Sequence, residues 1–156
     1  MGLKEIRTSK GLTQTQAAQI LGVGRRTYIR YENEETRLPE AKRALLLRML
    51  DEYGRIDEEH GLLTTEQIKD ICARVLAKYD VEYCYLFGSY AKGKATEKSD
   101  VDLLVSMPTN GLKFFGLTET LREELKKNVD VLDVTQLNDN ETLMREILKD
   151  GIKIYG

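Results

Sequence analysis

The chain has 156 residues, which is enough for one average domain or two small ones. Hydrophobic residues make up 41% and charged residues 32% of it, which excludes a disordered chain. Two cysteines and a single histidine, His60, exclude a disulfide framework and a multi-histidine metal site. No apolar run reaches the ~18–20 residues that span a bilayer, and the start, MGLKEIRTSKG, lacks the apolar stretch of a signal peptide. We therefore expect a cytoplasmic protein without a membrane partner.

Charge is distributed unevenly along the chain. Residues 1–48 contain ten Lys and Arg residues against five Asp and Glu, whereas the remainder contains fourteen against twenty-one. The first part is therefore basic and the second part acidic, which indicates that only the first part binds a polyanion.

The first part of the chain is predicted to be entirely helical. One helix covers residues 2–9 and ends at Gly11; Thr13, with Gln16 three residues later, has the capping-box spacing that begins a second helix, QTQAAQIL, closed by Gly22. A third helix lies in VGRRTYIRYENEE and a fourth, after Pro39, in EAKRALLLRMLDEY. The polar, glycine-flanked stretch that follows predicts a domain boundary, with domains at 1–57 and 58–156.

The second part alternates helices with strands. Thr64 or Thr65 caps a helix through EQIKDICARVLAKY, and the strands are predicted in VEYCYLF, DVDLLVSM and VDVLDV, with a short final strand in IKIYG. Further helices are predicted in LKFFGLTETLREELKK and NETLMREILKDG. The predicted fold class is therefore α+β: an all-α domain followed by a small α/β domain with a mixed sheet.

Two short helices joined by the tight turn LGVG fit a helix-turn-helix. In the third helix Arg25, Arg26 and Arg30 fall on the outward face, where guanidinium groups can bridge guanine O6 and N7. Gln14, at the start of the second helix, is placed to reach a DNA phosphate.

The stretch GLTQTQAAQILGVGRRTYIRYENEE resembles the Cro/repressor-like (XRE) DNA-binding family over roughly the first 50 residues. Gly24 departs from that pattern, since a polar cap is common where the recognition helix starts. The resemblance implies operator DNA as a partner and, because such heads generally read paired half-sites, a homodimer or a hetero-oligomer.

The segment GSYAKGKATEKSDVDLLV places two carboxylates, Asp100 and Asp102, at the start of an apolar strand. Residues two apart in a strand share a face, so these side chains repel each other unless a cation lies between them. Mg²⁺ is commonly held by one or two carboxylates plus substrate phosphates. Gly88 lets a phosphate approach the backbone, and Ser89 adds a hydroxyl and an amide at a helix start. The segment therefore predicts a site for a metal-bound triphosphate.

A third carboxylate would complete a two-metal site. NVDVLDV offers Asp130 and Asp133, which lie on opposite faces of the predicted strand. Periodicity alone does not choose between them.

Glycine-serine followed by Asp-x-Asp is similar to the signature of the DNA polymerase beta-like nucleotidyltransferases, and residues 64–156 resemble the minimal nucleotidyltransferases (MNT). The resemblance implies that Asp130 is the third catalytic and metal-binding aspartate beside Asp100 and Asp102. We expect Asp133, at the end of the strand, to be a surface residue. The resemblance also implies Mg²⁺ and ATP, and a role as the antitoxin of a HEPN–MNT pair, which transfers AMP to tyrosine hydroxyls of a HEPN ribonuclease toxin. Two alternatives stay open: transfer to a small-molecule acceptor, and a catalytically idle repressor that binds the toxin.

Overall fold

The computed structural model of the protein describes residues 1–108 and 111–156. The chain divides into two compact units, Met1–Arg55 and Ile56–Gly156. None of the described helices is both long and apolar enough to cross a membrane.

The first unit consists of helices. They are α1 (Leu3–Ser9), α2 (Gln14–Leu21), α3 (Arg25–Asn33) and α4 (Glu40–Glu52), with a 3-10 turn at Glu35–Arg37. The predicted capping box is confirmed: the Thr13 side chain accepts from the Gln16 amide, and the Gln16 side chain accepts from the Thr13 amide. Gly22 ends α2 in the left-handed conformation at φ 71°, a conformation that favours glycine.

Apolar residues from all four helices form the core of this unit. The buried members are Leu3, Ile6, Ala17, Ala18, Leu21, Tyr28, Tyr31, Leu46 and Leu50. A buried ion pair joins α1 to α3, since Arg7 Nη2 lies 3.1 Å from Glu32 Oε1. The packed core and the Arg7–Glu32 ion pair therefore hold α3 against the other helices of the unit.

The second unit is built on a mixed four-stranded sheet. Its strands are β1 (Tyr83–Phe87), β2 (Val101–Ser106), β3 (Val129–Asp133) and β4 (Ile152–Tyr155), in the order β3-β2-β1-β4. β1 runs antiparallel to β2 and β4, whereas β2 and β3 are parallel. The helices are α5 (Thr65–Leu76), the single turn α6 (Gly88–Ala91), α7 (Gly111–Leu125) and α8 (Glu141–Asp150), with a 3-10 turn at Val134–Leu137. The predicted α+β class with a mixed sheet is confirmed.

The two faces of the sheet have different cores. The larger core joins α5 and α7 to alternate strand residues, including Cys84, Leu86, Val101, Leu103, Val105 and Val129. The smaller core, on the other face, contains Phe87, Leu104, Leu137 and Ile147. Because successive side chains of a strand point to opposite faces, Asp102 and Asp130 lie on the face of the smaller core.

Candidate active site

Two of the predicted carboxylates lie side by side at the start of neighbouring strands. In the parallel pair of β2 and β3, Asp102 is the register partner of Asp130. Asp102 is half-buried, and its pKa is raised to about 6, first by burial and then by the negative charges of Asp130 and Asp100. A hydrogen bond with Asp130 adds to that shift. The register of the sheet therefore creates a pair of close carboxylates.

Asp100 adds a third carboxylate to the acidic cluster, but the three carboxylates do not surround one metal position. It is exposed, lies two residues before Asp102, and acts on Asp102 through its charge. In the described parts of the chain, no three His, Cys, Asp or Glu side chains already surround one metal-sized point. The charges of Asp100 and Asp130 nevertheless both act on Asp102.

The glycine-serine turn packs directly against this cluster. Phe87, the last residue of β1, is the register partner of Asp102, so the chain turns at Gly88 beside that carboxylate. Gly88 has φ +71°, and a Cβ atom there would overlap the Asp102 carboxylate oxygen Oδ2. Only glycine fits both requirements. Ser89 follows it in α6 and is half-buried.

A cavity of about 770 Å³ opens beside the carboxylates. Asp102 and Asp130 line it together with three phenylalanines and Arg122; the phenylalanines are Phe87, Phe114 and Phe115. Its volume is within the range of small-molecule sites, about 300–1,000 Å³. A planar aromatic group and an anion would both find partners in it.

The three arginines predicted to face outward from the third helix are exposed in the structure. Arg25, Arg26 and Arg30 are exposed on α3, whereas Tyr28 and Tyr31 of the same helix are buried in the core. Gln14 is half-buried at the start of α2, and its amide Nε2 donates to Glu32 at 3.4 Å. Three cations thus project from one helix, while Gln14 is held against α3.

Comparisons with known proteins decide the family. Residues 66–156, more than half of the chain, match the family described as polymerase beta, nucleotidyltransferase. The chain belongs to this nucleotidyltransferase family. Residues 3–50 match a helix-turn-helix family.

Individual relatives align with the nucleotidyltransferase part. A Methanocaldococcus jannaschii protein, inferred to be a protein adenylyltransferase, is 40% identical over 75 residues, covering 44% of this chain and 76% of that protein. The protein adenylyltransferase MntA of Thermococcus cleftensis is 34% identical over 96 residues, covering 56% of this chain and 97% of MntA. A solved structure of an inferred minimal nucleotidyltransferase has a TM-score of 0.51 at 26% identity, covering 60% of this chain and 98% of that one.

The donor set of this nucleotidyltransferase unit fits Mg²⁺. Carboxylate oxygens are ligands that Mg²⁺ prefers, and one or two of them suffice when substrate phosphates supply the remainder. Asp102 and Asp130 lie opposite each other in the sheet, and the pKa of Asp102 is raised first by burial and then by the negative charges of Asp130 and Asp100. A divalent cation would remove that repulsion.

Asp133 requires a correction. It was expected at the surface, but it is only 6% exposed and lies at the end of β3. Its Oδ2 accepts from the Thr135 amide at 3.3 Å and from the Thr135 hydroxyl, so it caps the 3-10 turn that follows. The hydrogen bonds from the Thr135 amide and hydroxyl offset the cost of burying this carboxylate, which was not visible from its position at a strand end.

Three residues near the site were not found from the sequence. Glu146 of α8 contributes to the raised pKa of Asp102 and pairs with Lys92 at 2.7 Å. Arg122 of α7 lines the cavity and donates from Nη1 to Glu119 at 2.9 Å. Lys127 is fully buried beside the connector that leads to Asp100. No local motif marks these residues, because each reaches the site through tertiary contacts.

Proposed function

We propose that the protein is an antitoxin that transfers AMP from ATP to a tyrosine hydroxyl of a HEPN ribonuclease toxin, with Mg²⁺ as cofactor. The observation that carries the proposal is the register of Asp102 with Asp130 beside the turn at Gly88, where only glycine fits. The relatives named as protein adenylyltransferases support the reaction, and the resemblance to minimal nucleotidyltransferases supports the acceptor.

The reaction is a substitution at the α-phosphorus of ATP. The tyrosine hydroxyl releases its proton to solvent and its oxygen forms a bond to the α-phosphorus, while the bond from the α-phosphorus to the bridging β-phosphate oxygen breaks and pyrophosphate leaves. Bound Mg²⁺ would activate the attacking oxygen and neutralise the charge that develops on the leaving group. Asp100 and Asp102 would hold the cation that carries the triphosphate, and Asp130 would serve the acceptor side. Gly88 and Ser89 would bind phosphate oxygens through the turn between β1 and α6.

Exposed apolar surface next to the carboxylates favours a protein acceptor. Phe115 lines the cavity and is 64% exposed, and Leu112 in the same helix is also exposed. Large exposed apolar side chains beside a site are typical of surfaces that bind another protein.

The helical unit would bind operator DNA through Arg25, Arg26 and Arg30, with Gln14 at the edge of the contact. Two copies are needed to read paired half-sites about one DNA turn apart. We therefore propose a homodimer, formed by the protein alone or through the toxin.

A transfer assay tests the enzymatic proposal. The full chain is incubated with ATP labelled at the α-phosphate, Mg²⁺ and the HEPN protein of the neighbouring reading frame; we expect label on that protein. Chelation of Mg²⁺, or replacement of the acceptor tyrosine by phenylalanine, should abolish labelling. Label on an aminoglycoside instead would establish a small-molecule acceptor, and no label on any acceptor would leave a binding protein without catalysis.

A further inference from the structure

A fully buried lysine, Lys127, lies two residues before β3, the strand that carries Asp130. The side chain of Lys127 is 0% exposed, and its ammonium donates to three backbone carbonyls: Glu97 at 2.6 Å, Gly61 at 2.7 Å and His60 at 3.1 Å. An ammonium has three donors, so this one is fully satisfied. Burying such a charge costs free energy that only a complete set of partners offsets.

The three carbonyls come from two segments distant in sequence. Glu97 belongs to the connector, residues 92–100, which runs from α6 to Asp100. Gly61 and His60 belong to a turn that we call the strap, residues 57–61. The Gly61 amide also donates to the Glu97 carboxylate at 3.1 Å, so the strap and the connector are tied in both directions.

The strap has internal order of its own. Asp57 Oδ1 accepts from the Glu59 amide at 2.9 Å and from the His60 amide at 2.8 Å, and the His60 ring nitrogen Nδ1 lies 2.8 Å from the same oxygen. These bonds fix a turn that presents two adjacent carbonyls to Lys127. The strap lies between the two ranges that match known families, 3–50 and 66–156.

The contacts of Lys127 lead to two carboxylates of the site. Glu97 precedes Asp100 by three residues, and Lys127 precedes Asp130 by three residues. The Val101 amide, next to Asp100, donates to the Asn128 carbonyl at 2.9 Å, which joins the two routes. A shift of the lysine would therefore move the backbone on both sides of the acidic cluster.

We propose that Lys127 is a positioning residue, which uses the strap as an anchor to hold Asp100 and Asp130 in place for nucleotidyl transfer. The strap then contributes to nucleotidyl transfer by anchoring Lys127, in addition to linking the two ranges that match known families. This inference rests on the proposed transfer reaction.

Substitutions in the full-length protein test the inference from both ends. Lys127→Met removes the three donors at similar length, and Asp57→Ala removes the acceptor that orders the strap. Asp57→Asn keeps an Oδ1 acceptor and should restore wild-type behaviour. Lys126→Met, at the exposed neighbour of Lys127, is the matched control for loss of one lysine charge.

Amide hydrogen exchange of the ligand-free protein gives a readout that does not depend on activity. We expect faster exchange over residues 94–100 in Lys127→Met and Asp57→Ala, and wild-type exchange in Asp57→Asn and Lys126→Met. Exchange over α5 and α7 should stay at the wild-type level in Asp57→Ala. A general loss of stability would instead raise exchange throughout the unit.

Transfer kinetics give the second readout. Displacement of the carboxylates by about 1 Å should lower kcat roughly ten- to a hundredfold and raise the Mg²⁺ concentration for half-maximal rate. The double variant Asp57→Ala/Lys127→Met should be no slower than Lys127→Met, because both changes disrupt the same contact between the strap and Lys127.

Unchanged exchange over residues 94–100 in Asp57→Ala, with wild-type kcat and Mg²⁺ dependence, would overturn the inference even if Lys127→Met fails to fold. If the wild-type protein transfers no nucleotide to any acceptor, the proposed function fails. The exchange measurements would still decide whether the strap holds the connector.

Discussion

The Asp102 side chain is held where its negative charge is disfavoured. Its pKa is raised to about 6, first by burial and then by the negative charges of Asp130 and Asp100. A carboxylate placed against two others lowers the stability of the ion-free protein, and the fold keeps it there through the register of β2 and β3. Such perturbed groups concentrate at functional sites, where a bound cation reverses the repulsion.

Asp102→Asn should abolish transfer and leave the ion-free protein as stable as the wild type or more stable. The folded-state pKa of Asp102 is raised from its ordinary value of 3.8 to about 6. The free energy of unfolding therefore falls as the pH rises from 3.8 to about 6, and the whole penalty is present above about 6. This penalty is absent below pH 3.8, where the group is protonated in both states. Thermal melts in EDTA should therefore show the advantage of the variant at pH 7 and a smaller one at pH 4.5. A lower melting temperature at pH 7 would contradict the assignment.

Gly88→Ala should abolish transfer, whereas Gly93→Ala should retain most of it. Both glycines have φ near +70°, so alanine costs about 1–2 kcal/mol of conformational strain at either position. At Gly88 the new Cβ also overlaps the Asp102 carboxylate, while at Gly93 it meets nothing within 4 Å. Melting temperatures report the backbone strain, which both variants share, and transfer rates of the folded variants report the overlap with Asp102, which only Gly88→Ala has. Equal losses of activity would mean that only backbone strain matters.

At the scale of an element, β3 assigns different tasks to its two aspartates. Asp130 is exposed opposite Asp102, whereas Asp133 is buried and caps the next turn. Asp130→Asn should lower kcat strongly while ATP–Mg²⁺ affinity, measured by calorimetry, changes little. Asp133→Ala should instead lower the free energy of unfolding by about 1–2 kcal/mol through loss of a cap, with kcat retained in the folded protein. The reverse pattern would assign the third carboxylate to Asp133.

The exposed arginines of α3 carry the prediction for the helical unit. Arg26→Ala or Arg30→Ala should weaken binding to the protein's own upstream DNA by about 1–3 kcal/mol per lost bidentate base contact. Arg74→Ala, at an exposed arginine of α5 that pairs with Glu124, controls for the loss of one positive charge. Gel shifts at moderate salt measure both. Undiminished binding by Arg25/Arg26/Arg30→Ala would remove α3 as the recognition helix.

Elements defined by short-range bonds were predictable from the sequence. The capping box of Thr13 with Gln16 joins residues three apart, so the residue types alone reveal it. For α5 the sequence left Thr64 and Thr65 as alternative caps, and the structure shows Thr64 in a capping box with Gln67. The place of Asp102 in an apolar strand was likewise predictable, whereas Asp100 lies just before β2, which begins at Val101, so the period of the strand does not apply to it.

Features that depend on distant partners were not predictable. Lys127 looks like any surface lysine after a helix, and its burial depends on carbonyls 30 to 67 residues away. The periodicity of β3 likewise did not distinguish Asp130 from Asp133; the register of β3 against β2, which no local pattern specifies, places Asp130 opposite Asp102.

At the scale of the whole molecule, the protein carries two compact units with separate cores. The helix-turn-helix core draws its buried residues from α1 to α4, and the core of the nucleotidyltransferase unit draws them from the sheet and its helices. Residues far apart with no shared partners generally contribute independently to stability and function. The two proposed activities should therefore be separable by substitution.

The final prediction tests that separation in one preparation. Asp102→Asn should bind upstream DNA with wild-type affinity while it transfers no AMP, and Arg26→Ala/Arg30→Ala should transfer AMP at the wild-type rate while DNA binding is lost. Asp102 and the two arginines belong to different units with separate cores, so we expect each change to leave the core of the other unit intact. Gel shifts and label transfer to the HEPN protein are measured on the same samples. Inserting half a helical turn of DNA between the two half-sites should weaken wild-type binding as strongly as removal of one half-site, because a dimer must meet both on one side of the duplex. Loss of transfer in the arginine variant would instead show that the helix-turn-helix unit takes part in the reaction.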